Sequence, residues 1–250
     1  MALRDIMHDS QNYSVSYEIL NEERNDTIVF LHGWGSNKEI MKQAFGGELK
    51  EFRLIFLDLP GFGNSSIQIP ITTYDYAKIV KKFLNSLSVK DFSIVAHSFG
   101  GKVATLLKPK NLILLSSAGI LGKKSFKQII LIKLLKFLEK ILTKEQYKYF
   151  KSRCFKITNR FLGGKDARGM SKTMYKTYKK VIDEDFSQNF KKVTSKTLIL
   201  WGINDRSTPL SSGKKIAELI EDSAFVEFNG DHFFFLKHSK IIAKKIIELY

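Results

Sequence analysis

FSIVAHSFGG, residues 92–101, runs a short apolar segment into a serine and then into a pair of glycines. Phe92 to Ala96, with its β-branched residues, reads as a strand, and Gly100 and Gly101 open a helix, with Ser98 at the apex between them. A strand-to-helix turn this sharp strains its backbone and brings neighbouring elements close, so it needs small residues on both sides. A serine held there has its hydroxyl presented at the end of a sheet, the geometry of a nucleophile elbow. Ala96 stands where the usual G-x-S-x-G form has its first glycine, and the turn can accommodate one methyl group.

Working outward, the same strand-turn-helix rhythm recurs. Apolar runs lie at Thr27 to Leu31, Leu54 to Leu57, Leu112 to Leu115, Thr197 to Trp201 and Ala224 to Phe228, with Val15 to Leu20 expected as a leading edge strand. Helix-like stretches separate them. Ser36 and Glu39 have capping-box spacing ahead of one, and Thr73 is expected to cap another that runs to about Leu87. This alternation implies an α/β fold, a mostly parallel central sheet flanked by helices. The rhythm breaks after Gly119 and resumes at Thr197. The expected division is therefore a core made of residues 1–118 and 191–250, with residues 119–190 as an inserted helical lid over the strand ends, where open α/β sheets bind ligands.

Two further strand ends carry side chains that complement Ser98. GINDRSTP follows Trp201 and places Asp205 beyond one strand; NGDHFFF follows Phe228 and places His232 beyond the next. Each has an ordinary explanation as a turn residue. Together, at successive strand ends and in the order Ser, Asp, His, they make a catalytic triad. His232 would take the Ser98 proton and Asp205 would orient the imidazole. Asp231 is set aside in favour of Asp205, and His8, His97 and His238 lack a comparable placement. HGWG at His32 to Gly35 ends the strand Thr27 to Leu31. Its Trp34 backbone N–H, with that of Phe99, would point at one oxyanion position, while His32 is read as a polar support of the loop. This chemistry calls for no metal ion and no organic cofactor.

These motifs, with DLPGFGNS at Asp58 to Ser65, resemble the α/β-hydrolase superfamily over nearly the whole chain. Ser98 at the elbow, rather than Asp, separates the chain from the dehalogenase and epoxide-hydrolase branches. HGWGSNKE with DLPGFG is similar to the esterases that demethylate pimeloyl-carrier-protein methyl ester. The chain also resembles the 2-hydroxy-6-oxohepta-2,4-dienoate hydrolases, which cleave carbon–carbon bonds. The resemblance implies a serine hydrolase acting on a small or acyl-chain carboxylic ester, with C–C cleavage as the alternative.

Composition bounds the partners. The 250 residues carry 41 Lys and Arg against 25 Asp and Glu, a net charge of +16, and 18 of those cations against 6 of the anions fall between Gly119 and Phe190. Such a segment can attract anionic substrates, an acidic carrier protein or a membrane surface, and binding of a carrier protein or a membrane surface through this basic lid is an alternative function of a different class. It can also be a solvated lysine-rich face with no partner, since 34 of the 41 are Lys. Nucleic acid is disfavoured, because no reading motif accompanies the charge. Within this segment Phe126, Ile130, Leu134 and Phe137 lie on an apolar face at helical spacing. They are candidates for lining the substrate pocket; contact with a membrane interface, which is less favoured, or a partner surface are the other readings. The lone Cys154 cannot form an internal disulfide and reads as an incidental thiol. The absence of a signal-peptide-like or membrane-spanning apolar run makes a cytoplasmic protein the expectation.

Overall fold

A computed structural model of the chain describes residues 1–121, 143 and 170–250. The chain divides into two compact units, Met1–Leu121 with Ser171–Tyr250, and Gly122–Met170. Phe126, Ile130, Leu134, Phe137 and Cys154 lie outside the described residues.

The first unit is built on an eight-stranded sheet ordered β1-β2-β4-β3-β5-β6-β7-β8. The strands are β1 (Ala2–His8), β2 (Gln11–Leu20), β3 (Thr27–Leu31), β4 (Arg53–Leu57), β5 (Ser93–His97), β6 (Asn111–Leu115), β7 (Lys196–Gly202) and β8 (Ser223–Phe228). From β4 to β8 every pairing is parallel, while β1 and β2 join antiparallel at one side. The described helices are α1 (Lys38–Phe45), α2 (Thr73–Ser86), α3 (Phe99–Ala104), α4 (Lys172–Val181), α5 (Ser187–Phe190), α6 (Leu210–Leu219) and α7 (Ser239–Ile247).

The central strands are apolar along their length because helices cover both faces. Strand alternation divides their side chains: Ile28, Phe30, Phe56, Val95, Ile113 and Leu200 share one buried cluster with Met41 and Phe45 of α1 and Ile242 of α7. Phe30 and Phe56 stack there with centroids 4.4 Å apart. On the opposite face Leu114 approaches Gly101 of α3, and Trp201 approaches Gly213 of α6.

Three local expectations are corrected. Val15 to Leu20 is not the edge, because β1 pairs outside β2 from Ala2↔Tyr17 to His8↔Gln11. Only Ile6 and His8 of β1 are buried, too few inward residues to show a clear alternation. Its turn uses Asp9 and Ser10 at φ 46° and 60°, the two-residue hairpin geometry usually supplied by Asn-Gly. The cap of α1 is Asn37, whose side chain accepts from the Glu39 N–H, so the Ser36–Glu39 spacing forms no box. The cap of α2 is Thr72, in a full capping box with Asp75, and Thr73 is the first helical residue. Among the described residues no helix is long and apolar enough to cross a membrane.

Candidate active site

Strand order reverses at β3, where the chain goes first to β4 on one side and then to β5 on the other. Ligand crevices of open parallel sheets form beyond the strand ends at such a switch point. The loop after β3 contains Gly33 and Trp34, and Ser98 directly follows β5. A Cβ added at Gly33 would lie 3.0 Å from Ser98 Cβ, so the two turns touch.

Ser98 has φ 50° and ψ −114°, a strained conformation for a residue with a side chain. Its N–H donates to Leu115 O (3.0 Å), and its carbonyl accepts from Gly101 N and Ala118 N. Gly100 is required by close approach, because a Cβ there would stand 2.6 Å from Leu31 O. Among the described residues neither the Trp34 nor the Phe99 backbone N–H has an acceptor. The two residues are neighbours, their rings meeting edge to face at 5.3 Å. His32 is fully buried; its Nδ1 donates to Gly33 O (2.8 Å) and its Nε2 accepts from Leu59 N (3.0 Å). Burial pushes its pKa down to about 4, so it braces the loop as a neutral ring.

Asp205 and His232 follow β7 and β8, and His232 Nδ1 lies 2.7 Å from Asp205 Oδ2. The other carboxylate oxygen accepts from Ser207 N and Thr208 N at 2.8 and 2.9 Å. The Thr208 hydroxyl stands 2.9 Å from Asp205 Oδ2 and 3.1 Å from Ser116 O. Burial raises the Asp205 pKa, but the hydrogen bond and charge of His232, with the Thr208 N–H, outweigh it and hold the carboxyl below its ordinary value. The two loops meet because Gly202 lacks a side chain; a Cβ there would lie 2.3 Å from Asp231 O. The Asp231 carboxylate turns away and accepts from Phe233 N (2.9 Å). The exposed edge of His232 faces an open cleft of about 490 Å³, lined also by Asn204, Arg206, Ser207, Asp231 and Phe233.

Among the described residues no hydrogen bond joins Ser98 Oγ to His232 Nε2; such contacts often tighten only when substrate is bound. What links the two residues is His97, which the sequence placed outside the site. Its Nε2 lies 3.0 Å from His232 O, and its ring packs on the His232 ring at 4.6 Å. Thr208 also escaped sequence reading, although its place three residues after Asp205 is a usual position for a hydroxyl bonding back to a carboxylate.

A family model described as alpha/beta hydrolase fold matches residues 26–132. The hydrolase YugF of Bacillus subtilis is 28% identical over 226 residues, 81% of this chain and 81% of that one. The 2-hydroxy-6-oxononadienedioate/2-hydroxy-6-oxononatrienedioate hydrolase 1 of Pseudomonas putida is 27% identical, covering 83% of this chain and 81% of its own. A pimeloyl-(acyl-carrier protein) methyl ester esterase of Edwardsiella ictaluri is 35% identical over 78 residues, 31% of this chain and 29% of the esterase. An esterase structure from Exiguobacterium antarcticum superposes with a TM-score of 0.73 at 18% identity, covering 98% of each chain. The chain has the α/β-hydrolase fold. It is an enzyme, a hydrolase that is similar to esterases and to a 2-hydroxy-6-oxononadienedioate hydrolase.

Proposed function

We propose that the protein hydrolyses a small or acyl-chain carboxylic ester through an acyl-enzyme on Ser98. The 2.7 Å contact between His232 Nδ1 and Asp205 Oδ2 carries this reading. A carboxylate accepts only, so Nδ1 bears the proton, and Nε2 is left with the lone pair that a general base needs. In this reading Ser98 Oγ attacks the ester carbonyl and its proton passes to His232 Nε2. The imidazolium then protonates the departing alcohol, and the same base activates the water that releases the acid. The Trp34 and Phe99 N–H groups would hold the developing oxyanion; losing one such donor costs roughly 10²–10³ in rate.

The test is labelling by a fluorophosphonate together with turnover of nitrophenyl esters. Both are expected in the wild type and absent in Ser98→Ala, and a folded wild type that neither labels nor turns over an ester sinks the proposal. C–C cleavage of a dienoate is the second reading, favoured by the match to the Pseudomonas putida hydrolase over four-fifths of both chains. A dienoate turned over far faster than any ester would put it first. A small-molecule ester is the partner proposed. The exposed Lys172, Lys176, Lys179 and Lys180 of α4 support an added attraction for anionic substrates or an acidic carrier.

A further inference from the structure

Of the histidines the sequence set aside, His97 is the one enclosed by the candidate site. It is 1% exposed and packed among His232, Phe233 and Phe235, with ring centroids 4.6, 5.2 and 4.9 Å away. Its Nε2 lies 3.0 Å from the carbonyl oxygen of His232, 135 residues along the chain. A carbonyl only accepts, so the proton is on Nε2 and Nδ1 keeps a bare lone pair. That Nδ1 is buried with no hydrogen-bond partner, 2.8 Å from where a Cβ on Gly33 would stand.

We propose that His97 is a positioning residue whose Nε2–H, bonded to the His232 carbonyl, fixes the loop bearing the base relative to the nucleophile and the oxyanion loop. The proposal rests on the triad reading above. A buried ring nitrogen without a partner costs free energy. An apolar ring of the same size would fill the space without that cost, so what the histidine supplies in return is its one donor. Among the described residues that donor is the only hydrogen bond made by the His232 backbone. The base is thus held at two points. Asp205, beyond β7, sets the imidazole from its Nδ1 side, and His97, the last residue of β5, sets the backbone from the strand that carries Ser98. The distance from nucleophile to base is then governed by the residue next to the nucleophile. Burial, and next the charge of His232, push the His97 pKa down to about 3. The ring therefore stays neutral and does not oppose an imidazolium forming on His232.

The experiment measures fluorophosphonate labelling rate, kcat and KM on a nitrophenyl ester, and thermal unfolding, on the full chain and on His97→Phe, His97→Asn and His97→Gln. Phe fills the space without a donor, and kcat and labelling rate should fall roughly 10–10²-fold with KM changed by less than about threefold. Gln carries an amide N–H at the reach of Nε2 and should recover at least about tenfold over Phe, while the shorter Asn should not. A folded Phe variant with kcat within about twofold of wild type, or a folded Gln variant as slow as Phe, overturns the role. If Phe does not fold, the Gln and Asn variants read the same contrast, and equal rates there overturn the role as well. Wild type that neither labels nor turns over the ester removes the triad reading and this one with it. Labelled wild type with indifferent variants removes this one alone.

Discussion

Asp205 Oδ2 and His232 Nδ1 are 2.7 Å apart although 27 residues separate them, each placed by the end of a different parallel strand. Both oxygens of Asp205 are occupied, by His232 and Thr208 on one side and by two backbone N–H groups on the other. In Asp205→Asn the amide can turn its NH₂ toward His232 and favour the wrong tautomer. Ester kcat should fall roughly 10⁴-fold with the fold intact. Steady-state kinetics beside a thermal melt test this, and a loss below about tenfold would show that Asp205 does not orient the base.

Ser98 at φ 50° and ψ −114° is strained in a way that glycine is not. Such residues cost about 1–3 kcal/mol. Ser98→Gly is therefore expected to be more stable than Ser98→Ala by about 1 kcal/mol or more, raising Tm by roughly 2–4 °C in a chain of this size. Both variants lose the hydroxyl, so their comparison isolates the β-carbon. Equal melting temperatures would mean that the turn stores no strain.

His32 and His97 are buried as neutral rings, with pKa values lowered to about 4 and about 3, in each case chiefly by burial. In the unfolded chain both return to about 6.5. The unfolded state therefore takes up protons below that pH while the folded state does not. The stability they contribute is complete above pH 6.5 and is lost as pH falls through the window down to about 3, at up to about 1.4 kcal/mol per pH unit for each ring. Urea unfolding between pH 7 and pH 4.5 should show this slope, and His97→Gln should make it shallower. An unchanged slope in that variant would place the His97 pKa near its ordinary value.

Asp58 is fully buried and accepts from Lys38 N, Lys38 Nζ and Asn64 N at 2.8, 2.9 and 3.0 Å. Lys38 is itself 2% exposed and, besides Asp58, meets only the exposed Glu39 carboxylate at 3.4 Å and the Ser16 hydroxyl at 3.2 Å, so Asp58→Ala leaves the ammonium without its buried counter-charge and should cost about 3–5 kcal/mol. Lys38→Met added to it should recover part of that loss, because no buried charge then remains; Glu39, its other carboxylate neighbour, is exposed to water. Denaturant midpoints of the single and double variants decide the matter; a double variant less stable than the single would contradict it.

The parallel strands are readable to within one residue at their ends because β3 to β7 are apolar runs buried on both faces, and β8, though only Phe228 is buried, keeps the apolar run Ala224 to Val226. β1 is not, since only Ile6 and His8 of its seven residues are buried, and Leu3 and Met7 are exposed apolar residues that give no inward alternation. The cap of α1 lies one residue past Ser36, at Asn37. Ser36, Asn37 and Glu39 all suit a helix start, and the choice falls where Lys38 turns inward to Asp58.

Ser98 began as the apex of a slightly irregular turn in FSIVAHSFGG, and local chemistry alone made it a candidate. Strand order and loop placement then supplied Asp205 and His232. Periodicity, small residues at a sharp turn and the order of residues along the chain place these three side chains at strand ends. Tertiary structure decided which groups support them. His97 looks like a variable position inside the elbow motif, and Thr208 like an ordinary loop hydroxyl. Their partners, His232 O and Asp205 Oδ2, become neighbours only once β5, β7 and β8 lie in one sheet. A hydrogen bond between residues 135 apart leaves no period or spacing in the sequence. It is set by strand order and by glycines such as Gly202 that let two loops come into contact.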